Sequence, residues 1–365
     1  MSLDVSAPLD PRPVTRDPSQ ASLSLALAHS HARTLGGGER AVLEVGKRLS
    51  PRHRLRLLLG GFSPGTTYPE LTALPHVRLG RLDWLTTRLA ADEVLIANSF
   101  GSNLLALGNG PRVGYWVHSV RSRFLQDQRR ADLRLRRLLD WLAVRRSGQL
   151  IANSHYTATR LKNLYGREAD AVVYPGVDLE LFQPGTHDAG FAVTVGRLAP
   201  EKGLDRLMAA WRELPDLPLH VVGGGDRRLL TSAPPHVVFR GPLAPHEIAE
   251  VYRQARLAVF APRGEEFGIA PLEAMASGLP VVAWREGGLL ESVVEGQTGF
   301  LVDETSSFRD RVRQLSQDGE LRTRLGENGR HRAEAFSWGR TAAEIERVCR
   351  RLAMGTDPPG RVPRP

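Results

Sequence analysis

The strongest constraint on the fold is a pattern that runs once along the chain and then starts again. Short apolar runs recur at Leu23–Ala28, Leu55–Leu59, Val94–Ala97, Val113–Val117 and Leu150–Ala152, and Val172-Val173-Tyr174-Pro175-Gly176-Val177-Asp178 closes the series. Helical patterns separate several of them, such as Glu39–Leu49 with Val42, Val45 and Leu49 on one face. After Gln183-Pro184-Gly185, which reads as a linker, strand and helix alternate anew: Phe191–Val195, a helix over Gly203–Leu214, then Leu219–Val222, Val237–Phe239, Leu257–Phe260 and Pro280–Ala283. Such alternation predicts an α/β protein with parallel sheets and helices on both faces. Two doubly wound domains would place the carboxyl ends of both sheets around one interdomain cleft, where ligands bind in such folds. A length of 365 residues suits two domains of ordinary size.

Composition excludes several other classes. Apolar residues at 41% and charged residues at 24% are a globular profile. One cysteine, Cys349, permits neither an intrachain disulfide nor a cysteine metal cage, which fits a cytoplasmic location. The run Leu23–Ala28 is too short to span a bilayer, and residues 1–20 lack the apolar core of a secretory signal. The net charge of +9 is carried almost wholly by arginine, the lysines being Lys47, Lys162 and Lys202. Ten arginines fall between Arg112 and Arg146. Along a helical pattern over Arg129–Arg146, Leu135, Leu138, Leu139 and Leu142 share one face, with Arg130, Arg134 and Arg137 broadly opposite. A solvated face is the ordinary reading; a peripheral contact with an anionic membrane, or an anionic acceptor, is the sharper one. Nucleic acid is disfavoured, since aromatics are scarce in the basic stretch and no binding motif accompanies it.

The chemistry points to one segment, Glu265-Glu266-Phe267-Gly268-Ile269-Ala270-Pro271-Leu272-Glu273-Ala274-Met275-Ala276-Ser277-Gly278. Glu265 sits in a loop, and Glu273 is expected in the first turn of a helix over Leu272–Ser277, with Pro271 at its start and Gly278 at its end. A helix start offers unpaired N–H groups to phosphate. Carboxylates on either side suit polyols, so one site would hold hydroxyls at both ends and phosphate between them. That is the outline of a nucleotide-sugar.

The segment resembles the E-x7-E signature of the retaining glycosyltransferases of the GT-B fold, family 4. The resemblance continues through Gly278-Leu279-Pro280-Val281-Val282-Ala283, Gly287-Gly288 with Glu291, and Gly296-Gln297-Thr298-Gly299-Phe300-Leu301-Val302. It runs from about Ser22 to Leu352 and implies two Rossmann-like domains: an acceptor-side domain over 22–177, a linker over 178–189 and a nucleotide-sugar domain over 190–336. A helix over 337–352 would cross back to the first domain, with loose tails at 1–21 and 353–365.

Arg197 and Lys202, in Gly196-Arg197-Leu198-Ala199-Pro200-Glu201-Lys202-Gly203, resemble the family's diphosphate-binding pair, and no Asp-x-Asp metal motif accompanies them. No cofactor or metal is therefore expected. The resemblance implies that Glu265 holds sugar hydroxyls, that Glu273 holds the ribose, and that Phe267, Gly268, Ile269 and Ala270 line the phosphates. Gly224, in Gly223-Gly224-Gly225-Asp226, would let the backbone approach the nucleotide. Gly37 and Gly38, in Gly36-Gly37-Gly38-Glu39-Arg40, resemble the family's glycine-rich loop. They also resemble a dinucleotide fingerprint, which demands an acid at the end of the second strand, and Leu55 to Gly61 contains none. His118, with Ser119 and then Arg123-Phe124-Leu125-Gln126-Asp127, resembles a segment of mannosyltransferases in this family, although Val120 replaces the usual proline.

The expectation is a hexosyltransferase using a GDP-mannose or UDP-glucose type of donor, with a glycan, lipid-linked or small-molecule acceptor in polysaccharide or glycolipid synthesis. Its catalytic residues would be His118, Arg197, Lys202 and Glu265. The alternatives are a same-fold nucleotide-sugar epimerase, a phosphorylase-like enzyme, or a basic non-catalytic module that binds membranes or polyanions.

Overall fold

The computed structural model of the protein describes residues 21–63, 65–119 and 131–355. Of the tails expected at 1–21 and 353–365, residues 1–20 and 356–365 lie outside the described residues, as does the Arg123–Asp127 segment, while the last helix continues to Met354.

Two parallel sheets organise the chain. The first contains β1 (Ser24–His29), β2 (Arg54–Gly60), β3 (His76–Leu79), β4 (Glu93–Ala97), β5 (Val113–Val117), β6 (Gln149–Ala152) and β7 (Ala171–Val172), in the order β3-β2-β1-β4-β5-β6-β7. The second contains β8 (Ala192–Val195), β9 (Leu219–Val222), β10 (Val237–Gly241), β11 (Leu257–Phe260), β12 (Val281–Trp284) and β13 (Gly299–Val302), in the order β10-β9-β8-β11-β12-β13. Both are doubly wound Rossmann-like sheets, and both reverse direction beside their own first strand, between β1 and β4 and between β8 and β11. The central strands are buried from end to end because helices cover both faces. That is why their sequences read as continuous Leu/Val/Ala runs.

The longer helices are α1 (Gly37–Leu49), α2 (Ala131–Arg146), α3 (His155–Tyr165), α4 (Leu204–Trp211), α5 (Pro245–Gln254), α6 (Ile269–Ala276), α7 (Thr305–Gln317), α8 (Gly319–Glu334) and α9 (Trp338–Met354). The last of these packs on α1, β4 and β5, and its Trp338, Ala342, Ile345, Val348, Cys349 and Leu352 belong to the first lobe's core with Leu25, Val42, Val45 and Ile96. The chain thus returns to the lobe in which it began.

Two local expectations are corrected. Helix α6 begins at Ile269, three residues before Leu272, so Pro271 is its third residue and Glu273 lies in its second turn. Gly268, at φ 90°, supplies the left-handed turn that starts it early. Helix α2 is also rotated relative to its leucine pattern. Leu135, Leu138 and Leu142 are 58%, 53% and 36% exposed, while Asp140, Ala143 and Val144 face the core. Asp140 determines that orientation: Asn103 Nδ2 and Tyr165 OH each donate to its carboxylate at 2.7 Å.

Candidate active site

The second lobe's half of the crevice is built on its switch point. After β8 the chain turns through Gly196–Ala199 into a short 3-10 helix, Pro200–Lys202, and Gly203 at φ 66° leads into α4. A β-carbon on Gly203 would lie 1.8 Å from Ala261 O, so only glycine allows this turn to sit against the loop after β11. That contact brings two side chains together: Lys202 Nζ donates to Glu265 Oε2 at 2.5 Å. The Glu265 loop is held from its other side, because Gly288 N donates to Glu265 O (2.8 Å) and a β-carbon on Gly287 would lie 2.2 Å from the same oxygen. Glu286 braces it further, accepting from Arg206 Nη1 (2.7 Å) and from Gly264 N (3.3 Å).

Three residues past Glu265 comes Gly268, the residue before α6, and no side chain caps the helix. The N–H groups of a first helical turn lack intrahelical partners, so this end is open to an anion. Glu273, one turn deeper, lies in the electrostatic reach of Arg40 and Asp178. Burial pushes its carboxyl up to about 7, opposed by Arg40 and assisted by Asp178. Arg40 comes from α1 of the other lobe, where it pairs with Glu44 (3.2 Å) and with Asp178 (3.3 Å).

The first lobe contributes a different chemistry at its own switch point. Helix α1 begins after Gly36, also without a side-chain cap. A β-carbon on Gly37 would lie 3.0 Å from Ile269 Cδ1 and one on Gly38 would lie 3.1 Å from His29 Cε1, so these glycines let α1 approach both the opposite lobe and the end of β1. Around them stand His29, at the end of β1, and Asn98, after β4. Asn98 Nδ2 donates to Gly38 O (2.8 Å) and lies 3.2 Å from His29 Nδ1, while its Oδ1 is enclosed without a partner. Glu39 accepts from Thr34 Oγ1 (2.8 Å) and lies 3.8 Å from His29 Nε2. Burial would raise Glu39, but these neighbours hold it below the usual carboxylate range.

His118 follows β5 beside Trp116, ring centroids 4.2 Å apart. The residue keeps some exposure, but its Nε2 is enclosed and unpartnered among the described residues. Burial, with a push from His29 and against the pull of Glu39, holds the imidazole down at about 3, so it is neutral at physiological pH.

The two lobes are pinned together at one end of the crevice by Glu291. Its carboxylate accepts from His155 N (2.9 Å) and Tyr156 N (2.8 Å), the first amides of α3, and from Tyr174 OH (2.8 Å). An acidic group from the second lobe thus caps a first-lobe helix. Ser154 Oγ and Arg160 add bonds to Glu266, at 2.5 Å to its carbonyl and 3.0 Å to its carboxylate.

The structure therefore brings Lys202, Glu265 and the start of α6 together, with Gly37 and Ile269 in contact across the crevice. Other expected residues stand differently. Arg197 is exposed and pairs with Glu201 (3.1 Å) instead of reaching Glu265. The Phe267 ring is buried against Tyr174 and Phe336 (5.3 and 5.6 Å), so only its backbone can face a ligand. Gly223 and Gly225 are demanded by packing, since β-carbons there would lie 1.9 Å from Gly196 O and 2.4 Å from Leu198 O. Gly224 alone has ordinary room, 3.7 Å from Pro242. Sequence reasoning missed His29, Asn98 and the role of Glu291. His29 and Asn98 could have been found from the switch-point rule, as they end the two strands that flank the reversal. Among the described residues, no cluster of three or more His, Cys, Asp or Glu side chains could hold a metal ion.

Two doubly wound lobes facing one crevice define the GT-B fold. Solved structures share the fold. Sucrose-phosphate synthase from Thermosynechococcus elongatus matches with a TM-score of 0.74 at 21% identity, over 92% of this chain and 100% of that one. Anabaena HepE, solved with UDP and glucose, matches with a TM-score of 0.74 at 20% identity, over 89% and 99%.

The chain belongs to the family 4 glycosyltransferases: residues 35–181 match the model described as Glycosyltransferase Family 4, and residues 179–332 that described as Glycosyl transferases group 1. The D-inositol 3-phosphate glycosyltransferase of Corynebacterium glutamicum (strain R) is 32% identical over 262 residues, 62% of this chain. The match spans 63% of that relative's length, less than two thirds.

Proposed function

We propose that the protein is a retaining, metal-independent hexosyltransferase that moves a hexose from a nucleoside-diphosphate sugar to an acceptor hydroxyl. The observation that carries this reading is the Lys202–Glu265 pair at 2.5 Å, set beside the uncapped start of α6 at the second lobe's switch point. A departing diphosphate needs its growing negative charge met by groups already in place. Lys202, fixed by Glu265, and the first amides of α6 supply them, and Arg197 joins by turning from Glu201. Glu265 holds the sugar hydroxyls, Glu273 the ribose, and neutral His118 offers a hydrogen bond near the reacting carbon. HepE, which shares the fold, was solved with UDP-glucose, which supports a nucleotide-sugar in this crevice.

The carbon–oxygen bond between sugar and diphosphate breaks, and the acceptor oxygen bonds to the same carbon on the same face. The acceptor's proton passes to the departing phosphate oxygen, so no separate base is needed. Proton NMR of the product formed from UDP-glucose or GDP-mannose is expected to show the donor's anomeric configuration, with turnover unaffected by EDTA. An inverted product or an EDTA-sensitive rate contradicts the proposal. Incubation with donor alone separates transfer from epimerisation, which would yield an altered nucleotide-sugar without acceptor.

A further inference from the structure

Helix α2 carries three outward leucines on one face. Leu135, Leu138 and Leu142 lie three and four residues apart on one exposed face, and Trp141, 38% exposed, adjoins them. Arg134, Arg145 and Arg146 are exposed around this face, and Arg145 stacks on the Trp141 ring at 4.3 Å. Between Arg134 and Arg146 the one acid, Asp140, is buried under the hydrogen bonds of Asn103 and Tyr165 and cannot offset the charge at the surface. Over residues 134–146 the result is an apolar stripe flanked by exposed positive charge.

We propose that this face of α2 is where the protein lies on an anionic lipid bilayer. Leucines entering the acyl boundary bury apolar surface, while arginines reach the lipid phosphates with their charged ends. Each such cation contributes on the order of 1 kcal/mol near an anionic leaflet. A tryptophan at the same level matches the preference of indole for the interface between water and hydrocarbon. The helix lies in the plane of the membrane, and among the described residues no helix is long and apolar enough to cross one. The proposal is independent of the transfer chemistry, because α2 carries none of the residues assigned to it.

Trp141 makes the test direct, since the other five tryptophans, Trp84, Trp116, Trp211, Trp284 and Trp338, are buried. The full chain is mixed with phosphatidylcholine vesicles, with and without phosphatidylglycerol, and with brominated lipid as quencher. The expected result is flotation with the phosphatidylglycerol vesicles only, together with quenching that disappears in Trp141→Phe. Leu135→Ser/Leu138→Ser is expected to abolish flotation with an unchanged melting midpoint. Arg134→Gln/Arg145→Gln, which retains the leucines, is expected to weaken it roughly 30-fold, about fivefold per charge. Absence of flotation with anionic vesicles, equal flotation with neutral ones, or binding that leaves Trp141 unquenched overturns the proposal. So does a dimer in light scattering that is lost in Leu135→Ser/Leu138→Ser, because the face would then belong to a second copy.

Discussion

The two lobes carry the same sheet order and the same kind of switch point, yet they put opposite chemistry on them. At the second lobe's reversal stand a lysine and a glutamate in direct contact, a helix start open to anions, and Glu273 with its carboxyl near neutrality. At the first lobe's reversal stand an amide, an imidazole and the Glu39 carboxylate, with the His118 imidazole on the next strand; Asn98 Oδ1 and His118 Nε2 are enclosed and unpartnered among the described residues. The fold decides where a ligand lies, and the residues at the strand ends decide what it is. The half with an ammonium group suits a diphosphate that departs, and the half with amide, imidazole and carboxylate acceptors suits hydroxyls.

Mutations can break this contrast in order of expected size. Lys202→Ala is expected to cost the largest factor, roughly a hundred- to thousandfold in kcat, as befits the loss of a positioned charge at the leaving group. Steady-state kinetics with donor and acceptor varied separately would show it, and a variant within threefold of wild type would remove Lys202 from that role. Glu265→Ala is expected to be comparably damaging while the melting midpoint holds, because the loop is also fixed through backbone contacts to Gly287 and Gly288.

A smaller, graded effect sharpens the second lobe's side. Glu273 has its carboxyl pushed up to about 7, so free protein below that pH carries a proton there. In the proposed role of Glu273, ribose hydroxyls would donate to the ionised form, and donor binding would then release that proton. Donor affinity is expected to rise as pH climbs, by up to about tenfold per unit below 7, and to level off above it. Calorimetric titration across pH would record the slope, and Glu273→Gln is expected to flatten it. A slope that survives the substitution assigns the titration to another group.

The smallest effect concerns what joins the halves. Glu291→Ala removes three hydrogen bonds that tie α3 and Tyr174 to the second lobe. Two backbone amides then lose their carboxylate cap, for a loss of about 1–3 kcal/mol in denaturant unfolding. Glu291→Gln keeps one acceptor oxygen and is expected to fall between that variant and wild type.

The fold class was legible from the sequence because strands covered on both faces leave uninterrupted apolar runs. It was least legible at the edges. β3, His76–Leu79, is exposed along most of its length and carries no such run, and the two-residue β7 is too short to register as a pattern. Helix α2 shows how a periodic pattern misleads: the leucine stripe is real, but a buried aspartate with two partners set the helix's rotation. In the site, motif spacing indicated that Lys202 and Glu265 belong to one chemistry, and the structure has them in contact across 63 residues of chain. Spacing alone did not choose between Glu201 and a ligand phosphate as the partner of Arg197, a local pair four residues apart, and it could not reveal that the Phe267 ring turns into the aromatic cluster with Tyr174 and Phe336, whose members are remote in sequence.

The central claim is that a fixed ammonium group, not a metal, receives the diphosphate in the second lobe's half of the crevice. Thermal unfolding with UDP or GDP in the presence of EDTA, on wild type and Lys202→Ala side by side, tests it most directly. One of the nucleotides is expected to stabilise the wild type, by about 2.7 kcal/mol at a hundred times its dissociation constant, and to leave the variant nearly unmoved. Equal stabilisation of both proteins, or stabilisation only after a divalent metal is restored, would contradict the account.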